Sequence, residues 1–240
     1  MTTRGLKDLK IKLFQDGADL NQMVEAYKKG VVKGFTTNPT LMRKAGVTDY
    51  AAFAKAAIKA IPDRNISFEV FSDDLAGMER EARVIASWGG DTSVKVPISN
   101  TKGESTVPLI RKLSSEGFSL NVTAILTLDQ VKTLAPALNP KAKSIVSVFA
   151  GRIADTGVDP VPLMSAAAAA LASNANADLL WASPRELLNV FHAEDCGCRI
   201  ITATPDILAK LGLIGKDLTQ YSLETVKMFY ADATAAGFKI

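Results

Sequence analysis

Short apolar, β-branched runs alternate along the chain with longer amphipathic or alanine-rich segments. The short runs predict strands at 11–16, 34–38, 66–71, 92–97, 119–125, 144–150, 177–183 and 198–203. Segments with helical periodicity follow them near 19–29, 50–61, 74–88, 104–116, 128–137, 160–175, 184–194 and 205–212. A strand–helix unit repeated eight times is typical of a closed parallel barrel, the (β/α)8 TIM barrel of the α/β class.

The main alternative is an open, doubly wound sheet. Such a sheet usually carries a glycine-rich or phosphate-binding loop where its strand order reverses. The chain contains neither G-x-G-x-x-G nor a P-loop, and "TKGEST" at 101–106 lacks the P-loop spacing. The length of 240 residues suits one barrel domain over 1–240, with no linker.

An extra C-terminal helix is predicted at 222–238, after the last strand–helix unit. Leu223, Val226, Phe229 and Tyr230 fall on one helical stripe. An apolar stripe of this size needs a surface to cover, either on its own barrel or on a neighbouring subunit. We therefore expect a homo-oligomer.

One predicted strand has a charged side chain at its centre. In "SVKVPIS", residues 93–99, the alternate positions Val94, Val96 and Ile98 are apolar and would share one face. Lys95 would then point to the other face, into the barrel. An amine is rarely buried unless it is paired or has a chemical task, so Lys95 is the first candidate for a functional residue.

The same alternation directs other polar side chains into the barrel. Read strand by strand, the inward or strand-end positions are Asp16, Thr36, Asn38, Glu69, Asn121, Thr123, Ser147 and Phe149. The interior of a purely structural barrel is filled by Val, Ile and Leu. Polar residues near the carboxyl ends of several strands therefore predict an active site at that end of the barrel.

A lysine in this setting suggests covalent chemistry with a carbonyl group. An amine attacks a ketone only when it is unprotonated, and burial or nearby cations favour that form. The resulting iminium withdraws electrons, so that a C–C bond one carbon further away can break or form. A carboxylate must then carry protons, and Asp16 and Glu69 are the two candidates.

Two arginines follow later strands at the same end of the barrel. Arg152 lies in "SVFAGRI", and Arg185 lies in "WASPRELL" at the start of a predicted helix, with Ser183 expected as its N-cap. Arginine side chains and helix N-termini bind phosphate groups on this face of many barrels. We therefore expect a phosphorylated substrate.

Composition narrows the function classes further. The net charge of +3, without a Lys/Arg tract, does not favour a nucleic-acid partner. No run is long and apolar enough for a membrane span, and the N-terminus lacks a signal-peptide core. Cys196 and Cys198 are expected to be reduced thiols, and His192, the single histidine, has no metal-binding partners in sequence. We predict a cytoplasmic protein that needs no metal or other cofactor.

Taken together, these motifs resemble the transaldolase family. "GFTTNPTLM" at 34–42 is similar to its Thr-Thr-Asn-Pro signature, and "VKVPIS" is similar to its Schiff-base lysine motif. "FQDGAD", "FEVF", "LNVTAILTLDQ" and "SVFAGRI" follow in the order and spacing of that family over nearly the whole chain. The short length is closer to the compact branch that includes fructose-6-phosphate aldolase.

The resemblance implies a role for each matched position. Lys95 would form a Schiff base with C2 of a ketose phosphate, and Asp16 would be its acid–base group. Glu69 and Thr123 would hold a proton-relaying water. Hydrogen bonds to the dihydroxyacetone unit would come from Asn38 and Asn121, in a pocket also lined by Thr36 and Ser147. The phosphate would be held by Arg152 and Arg185, with help from Ser183.

Two positions separate the branches of this family. Glu69 and Phe149 resemble its transferases, whereas the free aldolases tend to have Gln and Tyr there. A transaldolase that moves a dihydroxyacetone unit between sugar phosphates is therefore the preferred interpretation. A lyase that releases free dihydroxyacetone and a barrel that binds sugar phosphates without turnover remain alternatives. Trp181 and Pro184 depart from the family pattern, and a large ring at Trp181 is expected to reshape the phosphate end for another, for example sulfonated, sugar.

Overall fold

The computed structural model describes residues 4–240 and contains a closed barrel of parallel strands in sequential order. The strands β1 to β8 are Lys12–Asp16, Gly34–Thr36, Asn65–Glu69, Thr92–Pro97, Leu120–Ile125, Ser144–Val148, Ala177–Trp181 and Ile200–Ala203. β8 pairs with β1, which closes the ring. The predicted (β/α)8 TIM barrel is therefore confirmed, and each predicted strand is present with ends shifted by a few residues.

Helices surround the barrel and connect successive strands. The helices α1 to α11 are Leu20–Lys29, Pro39–Lys44, Tyr50–Ala60, Leu75–Ala86, Val107–Ser115, Leu128–Leu134, Ala150–Ala154, Val161–Leu171, Leu188–Asp195, Pro205–Ala209 and Leu218–Ala235. Short 3-10 helices occupy Leu6–Asp8, Ala135–Ala137 and Lys210–Leu213.

Two short helices, α2 and α7, were not predicted from the sequence. Each is shorter than two turns, too short to show a helical repeat. Asn38 caps α2, where its side chain accepts a hydrogen bond from the Leu41 amide and Pro39 occupies the first turn. Both helices begin directly after strands, and they bring their first residues to the carboxyl end of the barrel.

The core has an outer layer between the strands and helices and a smaller layer inside the barrel. Val94 and Val96 are fully buried in the outer layer, as the alternation in β4 predicts. The inner layer is an apolar cluster of Phe14, Ile145, Leu180, Ala182 and Ile200. This cluster fills part of the barrel interior, which also holds the buried polar residues Ser67 and Asn121.

Helix α11 starts at Leu218, a few residues earlier than predicted, and none of its residues is buried. Its apolar side chains are open to solvent, and Phe229 and Tyr230 are 63% and 75% exposed. The barrel of the same chain therefore does not cover the apolar stripe. No helix within residues 4–240 is both long and apolar enough to span a membrane.

Candidate active site

A cavity of about 530 Å³ opens at the carboxyl ends of the strands. Its walls contain every predicted site residue except Asn121: Asp16, Thr36, Asn38, Glu69, Lys95, Thr123, Ser147, Phe149, Arg152, Ser183 and Arg185. They come from most of the strands and from the loops that follow them. The structure therefore brings together residues that lie up to 169 positions apart, from 16 to 185.

Lys95 is buried at the floor of this cavity, in the middle of β4. Its Nζ donates a hydrogen bond to the Thr37 carbonyl at 2.9 Å and lies 3.1 Å from Glu69 Oε2. The two side chains are only 7% and 16% exposed. The amine is therefore held as one half of a buried ion pair, an arrangement that costs desolvation free energy.

Asp16 lies at the end of β1 and belongs to a chain of hydroxyl groups. The Thr36 hydroxyl donates to Asp16 Oδ1 at 2.7 Å and lies 2.5 Å from the hydroxyl of Thr202 on β8. Burial raises the pKa of the Asp16 carboxyl, and the nearby Lys95 charge opposes this rise. Asp16 can therefore hold a proton at a pH where an ordinary aspartate is ionised.

Asn121 lies beneath the cavity rather than in its wall. It is fully buried; its amide donates to Ser67 Oγ at 3.0 Å, and its carbonyl accepts from Ser147 Oγ at 2.6 Å. These bonds occupy the amide and orient the Ser147 hydroxyl. Asn121 was predicted to contact the substrate directly, but its side chain is not exposed to the cavity. It reaches the cavity only through its hydrogen bond with Ser147.

Strand β5 bends where its residues enter the cavity. The pairing with β6 shifts register between Val122 and Ile125, and Ala124 has a left-handed φ of 60°. Both Thr123 and Ala124 therefore face the cavity, contrary to the strict alternation of a strand. The Thr123 hydroxyl is buried and has no hydrogen-bond partner within residues 4–240, so it is available to a water or substrate.

The two arginines line the outer part of the cavity. Arg152, in α7, stacks on the Phe149 ring with its guanidinium carbon 5.1 Å from the ring centroid. Arg185 forms a two-pronged ion pair with Asp155 and donates to the Ser183 carbonyl at 2.9 Å. A phosphate bound there would meet two guanidinium groups, one of which it would share with Asp155.

The predicted N-cap role of Ser183 is wrong. Helix α9 begins at Leu188, so Ser183 and Pro184 belong to the preceding loop. Ser183 has a left-handed φ of 57°, and its carbonyl oxygen lies so near Gly151 that a Cβ there would be only 1.5 Å away. Gly151 is thus required for the close approach of the loops that carry Arg152 and Arg185.

The prediction that Trp181 reshapes the phosphate end is also wrong. Leu180 belongs to the inner cluster, so the next residue of β7 points outward. Trp181 is buried in the outer core layer, with its ring centroid 6.5 Å from that of His192 on α9. Its ring therefore packs between strand and helix and does not line the cavity.

A larger cavity, of about 810 Å³, opens at the opposite, amino end of the barrel. Several of its charged residues form ion pairs: Lys12 and Arg199 with Asp178, and Lys143 with Asp91. No group of three His, Cys, Asp or Glu residues within 4–240 is placed to hold a metal ion at either end.

Comparison with known sequences identifies the family. A sequence profile described as Transaldolase/Fructose-6-phosphate aldolase matches residues 13–240. The chain belongs to this family. A protein of Thermoanaerobacter sp. strain X514 named "Probable transaldolase" is 32% identical over 231 residues, covering 96% of this chain and 100% of its own.

Another family relative agrees with this assignment, and a solved structure shares the fold. A "Probable transaldolase" of Methanococcus maripaludis strain C7 is 33% identical over 84% of this chain and 89% of its own. The crystal structure of a dihydrodipicolinate synthase from Rhodopseudomonas palustris superposes with a TM-score of 0.59 at 12% identity, over 97% of this chain and 82% of that one. At this low identity the similarity concerns the barrel fold alone. The family and its relatives indicate an aldolase-type enzyme of the transaldolase kind.

The cavity wall also contains residues that the sequence analysis did not predict: Pro39, Thr40, Leu41, Lys44, Ala124, Ala182 and Thr202. Thr202 stands among apolar neighbours in "RIITA" and shares the inward face of β8 with Ile200. Ala124 carries no polar group, and its position depends on the register shift in β5. The alternation rule could have found Thr202, whereas no sequence pattern marks the bend at Ala124.

Proposed function

We propose that this protein is a transaldolase that transfers a dihydroxyacetone unit from a ketose phosphate to an aldose phosphate through a Schiff base on Lys95. The observation that carries the proposal is the position of the Lys95 amine. It is buried at the floor of a polar cavity, within 3.1 Å of the Glu69 carboxylate. In the barrel enzymes, this end of the strands carries the catalytic residues.

Schiff-base formation requires the amine to lose a proton, and Glu69 is its acceptor. The free amine of Lys95 attacks C2 of the ketose, the carbonyl oxygen takes up a proton, and a carbinolamine forms. Loss of the C2 hydroxyl as water then leaves the iminium. Proton transfer in both steps passes between Glu69 and a water held by the Thr123 hydroxyl, which has no partner within 4–240.

Bond cleavage is the task of Asp16. Its carboxylate takes the proton of the C4 hydroxyl, and the C3–C4 bond breaks. The electron pair of that bond moves into the iminium to give an enamine. The aldose phosphate leaves. Attack of the enamine on an incoming aldehyde reverses these steps, and Asp16 returns its proton to the new hydroxyl. Burial raises the pKa of Asp16, which suits a group that must both accept and donate a proton.

The phosphate group binds at the outer part of the cavity, to Arg152 and Arg185. It displaces part of the ion pair between Arg185 and Asp155. Hydrogen bonds from Asn38 and Ser147 hold the hydroxyl groups of the three-carbon unit. The Asn38 side chain accepts a hydrogen bond from the Leu41 amide, which orients its NH2 group.

The choice of transferase over lyase depends on Phe149, whose ring lies in the cavity wall. A phenol at this position would activate water to protonate the enamine, whereas a phenyl ring cannot. The enamine is therefore not protonated and persists until an acceptor aldehyde binds. The lyase, which would release free dihydroxyacetone from the same enamine, is the alternative.

The test compares products from fructose 6-phosphate with and without erythrose 4-phosphate. We expect sedoheptulose 7-phosphate and glyceraldehyde 3-phosphate when both sugars are present, and little free dihydroxyacetone from the donor alone. Phe149→Tyr should increase the acceptor-free release severalfold, because the added hydroxyl supplies an acid–base group. Equal release of dihydroxyacetone with and without acceptor would instead identify a lyase.

We also propose that the protein forms a homo-oligomer through α11. The exposed apolar stripe of this helix supports the proposal, because patches of this kind mark interaction surfaces. Light scattering of the chain and of a variant ending at residue 217 tests it, and a monomeric full-length chain would contradict it. The cytoplasmic location stays a prediction.

A further inference from the structure

Strand β2 ends at Thr36, which pairs with Ser67, so its neighbour β3 continues for two further residues, to Glu69. The last backbone bond between them runs from the Thr37 amide to the Ser67 carbonyl, at 3.2 Å. In a parallel ladder, the Thr37 carbonyl would next accept a hydrogen bond from the amide of Glu69. This bond is not made, and both the N–H and the C=O of Glu69 on that side bond to something else.

The partner of both groups is a single hydroxyl, that of Tyr50. The Glu69 amide donates to the Tyr50 oxygen at 2.7 Å, and the Tyr50 hydroxyl donates to the Glu69 carbonyl at 3.0 Å. Tyr50 is the first residue of α3, in the unit between β2 and β3. Its phenol therefore takes the place that β2 would occupy beside the catalytic end of β3.

The replacement leaves the Thr37 carbonyl available to the Lys95 amine. Lys95 Nζ donates to this carbonyl at 2.9 Å and lies 3.1 Å from Glu69 Oε2. The Tyr50 phenol thus fixes the backbone of Glu69. The Thr37 carbonyl, which the phenol replaces as partner of the Glu69 amide, accepts the hydrogen bond from Lys95. Both members of the buried ion pair depend on where the Tyr50 hydroxyl lies.

The Tyr50 ring is held in place by three other aromatic rings. Its centroid lies 6.1 Å from that of Phe68, 5.6 Å from that of Trp88 and 4.6 Å from that of Phe71. Edge-to-face and tilted contacts of this kind restrict the ring. Burial also raises the pKa of the Tyr50 phenol, which keeps it protonated and able to donate through the working pH range.

We propose that Tyr50 is a positioning residue for Schiff-base formation, which sets the distance between Glu69 and Lys95 without touching the substrate. The inference rests on the function proposed above and extends it to a residue outside the cavity wall. Without the hydroxyl, both backbone groups of Glu69 lose their partner. The Glu69 amide then competes with Lys95 for the Thr37 carbonyl, and the carboxylate and amine lose their alignment.

The test is Tyr50→Phe, which removes the hydroxyl and keeps the ring. The maximal rate at which borohydride traps the fructose 6-phosphate adduct is measured per active site, with active sites counted by complete trapping. We expect this rate to fall roughly 10- to 100-fold, the scale of a small misplacement of reacting groups. The donor concentration that gives half of the maximal rate should change by less than about twofold, because the phosphate contacts are untouched.

Tyr27→Phe is the matched control. Tyr27 lies on α1 with its ring against Arg64, and loss of its hydroxyl should leave the trapping rate unchanged. A second measurement places Tyr50→Phe in a Glu69→Gln background. If Tyr50 acts through the Glu69 carboxylate, the loss caused by Tyr50→Phe should be clearly smaller in this background. The trapping rates are compared at a low temperature at which all variants are folded, so that a loss of thermal stability does not affect them.

Two results would overturn the inference. One is a Tyr50→Phe trapping rate within twofold of the native rate, and the other is an equal further loss in the Glu69→Gln background. In either case an adduct on Lys95 of the native protein would leave the proposed function standing. Absence of an adduct in the native protein would remove the proposed function and this inference with it.

Discussion

The two ends of the barrel both carry ion pairs of lysines and carboxylates, but these pairs differ in their exposure to solvent. At the amino end, Lys12 pairs with Asp178 and Lys143 with Asp91, and the two lysine side chains are 54% and 74% exposed. At the carboxyl end, Lys95 and Glu69 form a similar pair with exposures of 7% and 16%. The apolar cluster around Phe14 and Leu180 lies inside the barrel with them.

Exposure changes what such a pair does for the fold. An exposed ion pair contributes about 0–1 kcal/mol to stability, and its loss changes little. A buried pair has lost its hydration, and an apolar replacement is often as stable or more stable. The amino end is therefore a solvated rim, whereas the carboxyl end keeps buried charges that the fold does not need. Substitutions made in pairs, one at each end, can test this contrast.

The largest expected effect is that of Lys95→Met, paired with Lys143→Met at the amino end. Removal of the nucleophile should lower turnover by at least roughly 10³-fold and abolish the trapped adduct. Lys143→Met should leave turnover within about twofold. Steady-state assays with fructose 6-phosphate and erythrose 4-phosphate measure both, and equal losses at the two ends would contradict the contrast.

The next effect is that of Asp16→Asn, paired with Asp178→Asn. Loss of the acid–base group should lower kcat roughly 10²- to 10⁴-fold, whereas the amino-end variant should stay active. The free energy of unfolding should change in the opposite direction to kcat, so Asp16→Asn should stabilise the fold. Because burial raises the pKa of Asp16, its ionised form destabilises the fold once the pH exceeds that pKa.

The pH dependence of this stability change follows from the sign of the shift. Asp16 favours the folded state below its unfolded pKa and loses that contribution as the pH rises through its folded pKa. Asp16→Asn should therefore melt higher than the native protein near pH 8, by roughly 2–4 °C for each kcal/mol gained. The gain should vanish below about pH 4, where aspartate is protonated. Calorimetry at the two pH values measures it, and a gain at acid pH alone would have the wrong sign.

A smaller and more selective effect is expected from Arg152→Leu, paired with Arg199→Leu at the amino end. Loss of one guanidinium should raise the KM for the phosphorylated donor by roughly 10- to 100-fold, as expected for a charge-assisted contact. Reaction with unphosphorylated fructose should be little affected. Arg199→Leu should leave both KM values unchanged, and a parallel change with both sugars would argue against a phosphate contact at Arg152.

The smallest effect is that of Ser144→Ala. The Ser144 hydroxyl is buried at the amino end and has no hydrogen-bond partner within the described chain. Its removal should change stability by no more than about 0.5 kcal/mol and activity not at all. Thermal melting and a standard assay are sufficient. A loss of activity would show that the amino end contributes to function.

Strand alternation accounts for most of what could be predicted. It directed Lys95 and Glu69 inward, and the structure has them paired there. The same rule directs Trp181 outward, because Leu180 is its inward neighbour, and family resemblance alone does not show this. Parity within a strand is a local property, so a single sequence is enough to apply it.

The remaining features depend on contacts between distant segments. Ser183 is not a helix cap because the loop folds over Gly151, and no local pattern records that approach. Asn121 lies below the cavity because Ser67 and Ser147 take its hydrogen bonds. Tyr50 reads as an ordinary first residue of a helix, and its bond to Glu69 appears only when β2 is seen to leave the sheet.

The central claim is that the buried amine at the carboxyl end, and no other lysine, becomes covalently bound to the sugar. The direct measurement is borohydride reduction in the presence of fructose 6-phosphate, followed by peptide mass mapping. The account predicts one reduced three-carbon adduct, on Lys95, with the amino-end lysines unmodified. An adduct confined to Lys12, Lys33 or Lys143, or none on Lys95 under turnover conditions, would contradict it.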